Sequence, residues 1–338
     1  MPHRRPGGGD PGPGRQPQGG GAAGGRRGPG HPGEIVTPPN SPAHASPFRT
    51  GVIAVVGRPN VGKSTLVNAL VGAKVSIVSS KPQTTRHRIL GVRTEEDAQY
   101  IFADTPGFQT RYKSALNQAM NRSVTQALAE VDLVLWLVEA MKFTPADERI
   151  LPLLPRDKPV VLVVNKVDAV ADKTDLLPFL QKMSKQFAFA EIVPLSAEQS
   201  RDAVRLPAIL KPYLPDGEPW FAEDDITDRS SRFLAAEIVR EKVFRLTGDE
   251  IPYAVAVTIE QFEETPTLFR IGAVVWVDRE AHRPILLGQK GEHIKRIASE
   301  ARQDMEKLFD RKVFLELWVK IKGGWADDAR LIKQFGYE

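Results

Sequence analysis

Residues 57–64 read Gly57, Arg58, Pro59, Asn60, Val61, Gly62, Lys63 and Ser64. That order of small, cationic and hydroxyl residues suits the binding of a phosphate chain. The glycines let backbone N–H groups turn inward on an anion, the lysine reaches the β- and γ-phosphates, and the serine hydroxyl binds Mg²⁺. Such a loop needs a strand before it and a helix after it, because the helix start adds its positive dipole end. The flanks meet this requirement. Val52 to Val56 is an apolar run expected as a buried parallel strand, and Thr65 to Leu70 has helical apolar spacing, with Thr65 beside the phosphates.

Two further clusters carry compatible chemistry. The apolar run Gln99 to Ala103 ends in Asp104, Thr105, Pro106 and Gly107. A carboxylate at the carboxyl end of a strand beside the phosphate loop is placed to hold Mg²⁺ through water, and the Gly107 N–H to meet the γ-phosphate. The strand Pro159 to Val164 ends in Asn165, Lys166, Val167 and Asp168. Asp168 can accept from guanine N1–H and its 2-amino group while the lysine stem lies along the base. Adenine offers no such donor pair, so the motif selects GTP over ATP. One strand later, after Glu191 to Leu195, the Ala197 N–H of Ser196, Ala197 and Glu198 is placed for guanine O6.

The elements that must carry these clusters alternate. Strands are expected at Ile89 to Thr94 and Leu133 to Val138, a helix between Lys113 and Val131, a short helix from Pro145 through Leu154, and another running to Tyr213. Ser76 to Arg88 is too polar and Pro-broken for a core element and reads as a loop. Alternation of this kind predicts a doubly wound, mostly parallel sheet with its ligand at the strands' carboxyl ends.

With 338 residues there is room for about two domains. Residues 1–48 are rich in Gly, Pro and Arg and cannot bury enough apolar surface to order themselves, so they read as a disordered tail. The absence of cysteine excludes disulfides, thiolate metal sites and cysteine nucleophiles. No run approaches the ~18 apolar residues of a membrane span, so a cytoplasmic location is expected. The net charge of +4 is compatible with nucleic acid without arguing for it.

After a connector at 216–228, following the domain at 49–215, the composition changes. Ser231 to Leu246 reads as an amphipathic helix opening a second domain at 229–338. Ile251 to Ile259 and Leu268 to Val277 alternate like antiparallel strands, and an apolar run leads to Gly288, Gln289, Lys290 and Gly291. A helix with Ile294, Ile297, Ala298 and Ala301 follows, then a strand Val313 to Ile321 and a helix Ala326 to Phe335. This is α/β around a G-x-x-G loop. Such a loop clamps single-stranded RNA backbone, because only glycines let phosphates approach so closely, and Lys290, Lys295 and Arg296 add charge beside it.

The series Gly57–Ser64, Thr84/Thr85, Asp104–Gly107, Asn165–Asp168 and Ser196–Glu198, with the loop from Lys81 to Arg88, resembles the Era family of bacterial GTPases, of the TrmE-Era-EngA type. The second domain, ending in Phe335, Gly336 and Tyr337, resembles that family's C-terminal KH (type II) domain. The resemblance covers about residues 50–338 and omits the tail. It implies a monomeric GTPase that uses GTP/GDP and Mg²⁺, binds 16S ribosomal RNA and assists maturation of the 30S subunit, with possible peripheral membrane contact. It also implies that a threonine of the first switch loop, Thr85 in preference to Thr84, joins Ser64 and Asp104 at Mg²⁺. Lys63, Thr85, Asp104 and Gly107 are then the expected catalytic set. Many GTPases carry a water-orienting glutamine after the equivalent of Gly107; here it is Phe108, which implies slow hydrolysis or another group in that role. Two other readings stand beside this one: an RNA-binding protein whose nucleotide domain is merely structural, and a GTPase held at a membrane surface by its basic face.

Overall fold

From Val52 to Val56 strand β1 (Arg49–Val56) is apolar at every position, so both its faces need cover. Ile53 and Val55 face one core with Leu66, Val67 and Leu70 of helix α1 (Lys63–Val71). Val52, Ala54 and Val56 face a second core on the other side of the sheet. The computed structural model describes residues 47–108, 114–248 and 251–335. Most of the expected tail, the segment after Phe108, and Gly336 and Tyr337 lie outside the described residues.

The chain continues through β2 (Ile89–Glu95), β3 (Ala98–Asp104), α2 (Ala115–Glu130), β4 (Leu133–Glu139), α3 (Pro145–Glu148), β5 (Val160–Asn165), α4 (Leu176–Ser184), β6 (Glu191–Pro194) and α5 (Ser200–Leu210). These strands form a 6-stranded sheet in the order β2-β3-β1-β4-β5-β6. Only the β2–β3 pair is antiparallel. Ala203, Leu206 and Leu210 of α5 join α1 on one face, while Val124 and Leu128 of α2 and Phe179 and Met183 of α4 cover the other. This is the doubly wound α/β arrangement expected from the alternation of elements.

Two helices on this sheet differ from the sequence reading. The helix opened by Pro145 ends at Glu148 and gives way to a 3₁₀ turn at Leu151–Leu153, because Pro152 has no N–H with which to continue the ladder. Helix α4 was not anticipated, although Leu176, Phe179, Leu180 and Met183 have helical spacing and pack on the core. The connector at 216–228 is not a free strap. Thr227 Oγ1 donates to the Leu90 carbonyl at 2.7 Å, the Val92 N–H to the Ile226 carbonyl at 2.9 Å, and Gln99 takes the N–H groups of Trp220 and Phe221. It thereby satisfies backbone groups along the edge strand β2.

The second region runs α6 (Ser231–Leu246), β7 (Val255–Glu264), β8 (Leu268–Val277), α7 (His282–Leu287), α8 (Glu292–Phe309), β9 (Lys312–Ile321) and α9 (Ala329–Gln334). Its 3-stranded sheet has the order β7-β8-β9, with β7 antiparallel and β9 parallel to β8. Residues 251–254, expected as the start of a strand, form a 3₁₀ turn instead. Helix α6 is not an ordinary amphipathic surface helix. Ala235, Ile238, Val239 and Val243 pack on the small sheet, while Glu237, Arg240, Glu241 and Lys242 are also buried. Arg240 and Glu241 bond into the loop that precedes β2, and Lys242 bonds to Asp304 of α8. A smaller cluster joins Leu116 and Met120 of α2 to Ala256, Trp325 and Ile332.

Candidate functional site

The turn from β1 into α1 uses residues that tolerate unusual backbone angles. Asn60 sits at φ 63° and Gly62 at φ 100°, where a side chain would be strained. A Cβ on Gly62 would also collide with Asn165 Nδ2. That amide donates to the Val61 carbonyl at 2.8 Å, while Asn165 Oδ1 accepts from the Ala197 N–H at 2.9 Å. One buried side chain therefore ties the loop before α1 to the ends of β5 and β6. Lys166, at φ 63°, reaches back to the Asn60 carbonyl at 2.9 Å.

Lys63 is buried and donates to the carbonyls of Gly57 and Arg58, both at 3.1 Å. Burial lowers its pKa to about 8, although the Asp104 carboxylate opposes the shift. Asp104 is fully buried at the end of β3. Its Oδ2 accepts from Ser64 at 2.7 Å, Ser76 at 2.5 Å and Thr85 at 3.3 Å, and the Ser64 and Thr85 hydroxyls are 2.8 Å apart. Burial raises the Asp104 pKa against these hydrogen bonds and the Lys63 charge. Its Oδ1 has no hydrogen-bond partner among the described residues. A buried carboxylate with an unmatched oxygen beside two hydroxyls is a hard oxygen set that fits Mg²⁺. No group of three His, Cys, Asp or Glu gathers among the described residues. The set therefore suits an ion that keeps waters and phosphate oxygens rather than one caged by protein alone.

Lys63, Ser64 and Thr85 border a cavity of about 670 Å³. Pro59, Asn60, Gly62, Lys63, Ser64, Thr65, Thr84, Thr85 and Gly107 line one part, and Asn165, Lys166, Asp168, Ser196, Ala197 and Glu198 another. Gly57, Arg58, Val61, Asp104, Thr105 and Pro106 are not on its wall. Arg58 turns to Glu139 at 2.7 Å and Asp147 at 3.3 Å. Thr105 donates to the Val55 carbonyl at 2.8 Å, which fixes the β3 end against β1. A Cβ on Gly107 would lie 2.9 Å from Pro59, so this position admits no side chain. Phe108 packs on the second core.

The sequence reading missed two contributors. Glu139 lines the cavity. Burial works against its charge, but hydrogen bonds from Lys142 and Arg58 and the nearby Lys166 charge hold its pKa down at about 2. Its place at the carboxyl end of β4 was a usable signal. Ser76, fully buried against Asp104, had none.

In the second region the G-x-x-G loop joins α7 to α8 through positive φ at Gly288 (70°), Lys290 (51°) and Gly291 (78°). A Cβ on Gly288 would meet His293 Cβ at 2.6 Å, whereas one on Gly291 meets nothing within 4 Å. Gly288 is thus needed by the protein's own packing, and Gly291 leaves open approach. His293 holds the loop between the carbonyls of Ile285 and Leu246, at 2.9 and 2.8 Å. Gln289, Lys290, Lys295 and Arg296 are exposed, and Arg296 pairs with Glu300.

A phosphate loop on a mostly parallel sheet, an Asn165–Asp168 cluster at the end of β5 and an appended α/β module with a glycine loop define a GTPase with a KH domain. Comparisons agree. A family described as "50S ribosome-binding GTPase" matches residues 52–166, and a KH domain family matches residues 250–326. GTPase Era of Nitrosomonas eutropha is 55% identical over 294 residues, covering 87% of this chain and 99% of that protein. GTPase Era of Bordetella avium is 55% identical over 291 residues, covering 86% and 98%. The chain belongs to the Era GTPase family. A solved structure of an Aquifex aeolicus Era variant bound to GDP and AlF4⁻ matches with a TM-score of 0.82 at 42% identity, covering 86% of this chain and 99% of that one. Era in complex with MgGDPNP and nucleotides 1506–1542 of 16S ribosomal RNA matches equally, with the same coverage.

Proposed function

We propose that this chain binds and hydrolyses GTP in the cavity between β1, β3, β5 and β6, and that its 229–338 domain binds 16S ribosomal RNA during maturation of the 30S subunit. The observation that carries the reading is the convergence of Ser64, Thr85 and Asp104 within hydrogen-bond reach, beside Lys63 and in the same site as Asp168. In this reading the loop from Gly57 to Thr65 wraps the phosphates, and Lys63 exchanges its contacts with the Gly57 and Arg58 carbonyls for phosphate oxygens. Gly107 gives its N–H to the γ-phosphate. Asp168 accepts from guanine while Lys166 lies along the base, and Ala197, fixed by Asn165, donates to O6. Ser64, Thr85 and Asp104 would hold Mg²⁺, which neutralises charge on the phosphates. Phe108, engaged with the core, offers nothing to orient water, so intrinsic turnover is slow.

The RNA assignment rests on the open approach at Gly291, the exposed Lys290, Lys295 and Arg296, and the related Era structure that contains 16S ribosomal RNA. A merely structural nucleotide domain does not account for a buried Asp104 with an unmatched oxygen. No helix of the described residues is long and apolar enough to cross a membrane. We place the chain in the cytoplasm as a monomer, with the basic loop directed at RNA rather than lipid. Co-sedimentation with 30S subunits and with anionic vesicles, each with GDP or a GTP analogue, tests this. Binding to subunits that changes with the nucleotide is expected; binding to vesicles alone would overturn the ribosomal reading.

A further inference from the structure

The loop that carries Thr85 is gripped by α6, far along the sequence. The Thr84 carbonyl accepts from Arg240 Nη2 at 2.5 Å, and the Gln83 carbonyl lies 3.5 Å from Nη1. Arg240 is fully buried, its Nε and Nη2 bonded to Glu237 at 2.8 and 2.5 Å, and its guanidinium stands over the Phe244 ring at 5.1 Å. On the other side of Thr85, Arg86 donates to the Val255 and Pro252 carbonyls at 2.7 and 3.0 Å. Upstream, Lys81 donates to the Thr247 carbonyl, and the Val78 N–H to Glu241 at 3.0 Å. The backbone on both sides of Thr85 is therefore set by groups of the second domain.

We propose that Arg240 is a positioning residue for GTP hydrolysis: by holding the Thr84 carbonyl it fixes the peptide unit before Thr85 and aims that hydroxyl at the Ser64–Asp104 pair. The inference rests on the reading of Thr85 as part of the nucleotide site. Arg240 borders no part of the cavity, so it acts only through the loop. The pair with Glu237 lies within one turn of α6 and does not need Thr84 for its own geometry. Carrying a buried guanidinium's remaining donors to a loop carbonyl instead of water is worthwhile only if that carbonyl is held in return. The planar fork suits the task because it grips a carboxylate and a carbonyl without internal freedom.

The test uses the full chain without RNA. Arg240→Lys keeps the charge opposite Glu237 but loses the fork. The double variant Arg240→Gln with Glu237→Gln removes both charges of the pair together, so that neither Arg240 nor Glu237 is left as a buried ion without the other. Single-turnover hydrolysis at saturating GTP, GDP affinity by fluorescence titration and hydrogen exchange of the amides of 83–88 are measured. The rate should fall about 10- to 100-fold while GDP affinity moves by less than about three-fold, a split that loss of global structure would not give. Exchange at 83–88 should accelerate. Hydrolysis within about two-fold of the parent in a folded variant, or a proportional loss of rate and GDP affinity, overturns the proposal. A parent chain that does not hydrolyse GTP overturns the GTPase reading itself, and this inference with it.

Discussion

Gly62 and Asn165 lie in different motifs, yet the structure makes them one unit, and a double-mutant cycle reads that unit directly. Asn165→Ala removes two buried hydrogen bonds, to the Val61 carbonyl and from the Ala197 N–H. With each backbone group left unsatisfied at roughly 1–3 kcal/mol, and the cavity admitting some water, the loss should be about 2–4 kcal/mol. Gly62→Ala places a side chain at φ 100°, which costs roughly 1–2 kcal/mol. It also drives the new Cβ into Asn165 Nδ2, so the same two bonds are lost by displacement. The single variants should each weaken stability in urea and lower GDP affinity. The double variant should cost less than their sum by about 2 kcal/mol or more, because Asn165→Ala removes both the obstacle and the bonds it would break. Additivity within about 0.5 kcal/mol would refute the coupling and leave Asn165 as an ordinary base-side residue.

Asp168→Asn should exchange guanine preference for xanthine, whose 2-oxo group meets the new amide; nucleotide competition that still favours GTP would remove Asp168 from the base site. Lys63, held at about pKa 8, gives two opposite trends with pH. GDP affinity should be flat below pH 8 and fall above it as the folded chain loses that proton. Folding stability without nucleotide should gain from this group as pH rises from 8 toward 10.5, where the unfolded chain binds more protons. An affinity constant to pH 9.5 would show that Lys63 does not carry phosphate binding. At the glycine loop, Gly291→Asp should abolish RNA binding with a stability loss of only about 1–2 kcal/mol from its φ of 78°. Gly288→Asp should additionally unseat His293 and lower the melting temperature. Equal stability of the two variants would contradict the packing at Gly288.

The parts that read clearly in the sequence are those in which a short run carries both its geometry and its chemistry. Gly57–Ser64 announced its strand, turn and helix, and the ends of β3, β5 and β6 could be placed because continuous apolar runs stop at polar clusters. What stayed hidden depends on partners far apart in sequence. Nothing in the polar composition of Lys81–Arg88 shows that Arg86 is buried among second-domain carbonyls. The mixed pattern of α6 reads as one wet face, whereas Glu237, Arg240, Glu241 and Lys242 are all buried, Arg240 bonded to Thr84, Glu241 to Val78 and Lys242 to Asp304. Arg58 stands inside the phosphate motif, but its side chain is drawn outward by Glu139 and Asp147, both in later elements. Glu139 and α4 were legible and overlooked; Ser76, a lone serine in a polar stretch, was not legible at all.

The small cluster of Leu116, Met120, Ala256, Trp325 and Ile332 has a practical consequence for anyone cutting the chain at 216–228. Leu116 and Met120 belong to the first domain by sequence but find their cover beside Trp325, and each such side chain returned to water loses about 1.5–3 kcal/mol. The severed N-terminal piece would also bare Arg86 and the Thr85 loop, while the C-terminal piece would uncover Arg240 and Glu241, which in the whole chain bond the Thr84 carbonyl and the Val78 N–H. Neither half is a miniature of its share of the whole. Proteolysis at the connector should therefore yield a nicked pair that still co-elutes on gel filtration, not a mixture of autonomous fragments.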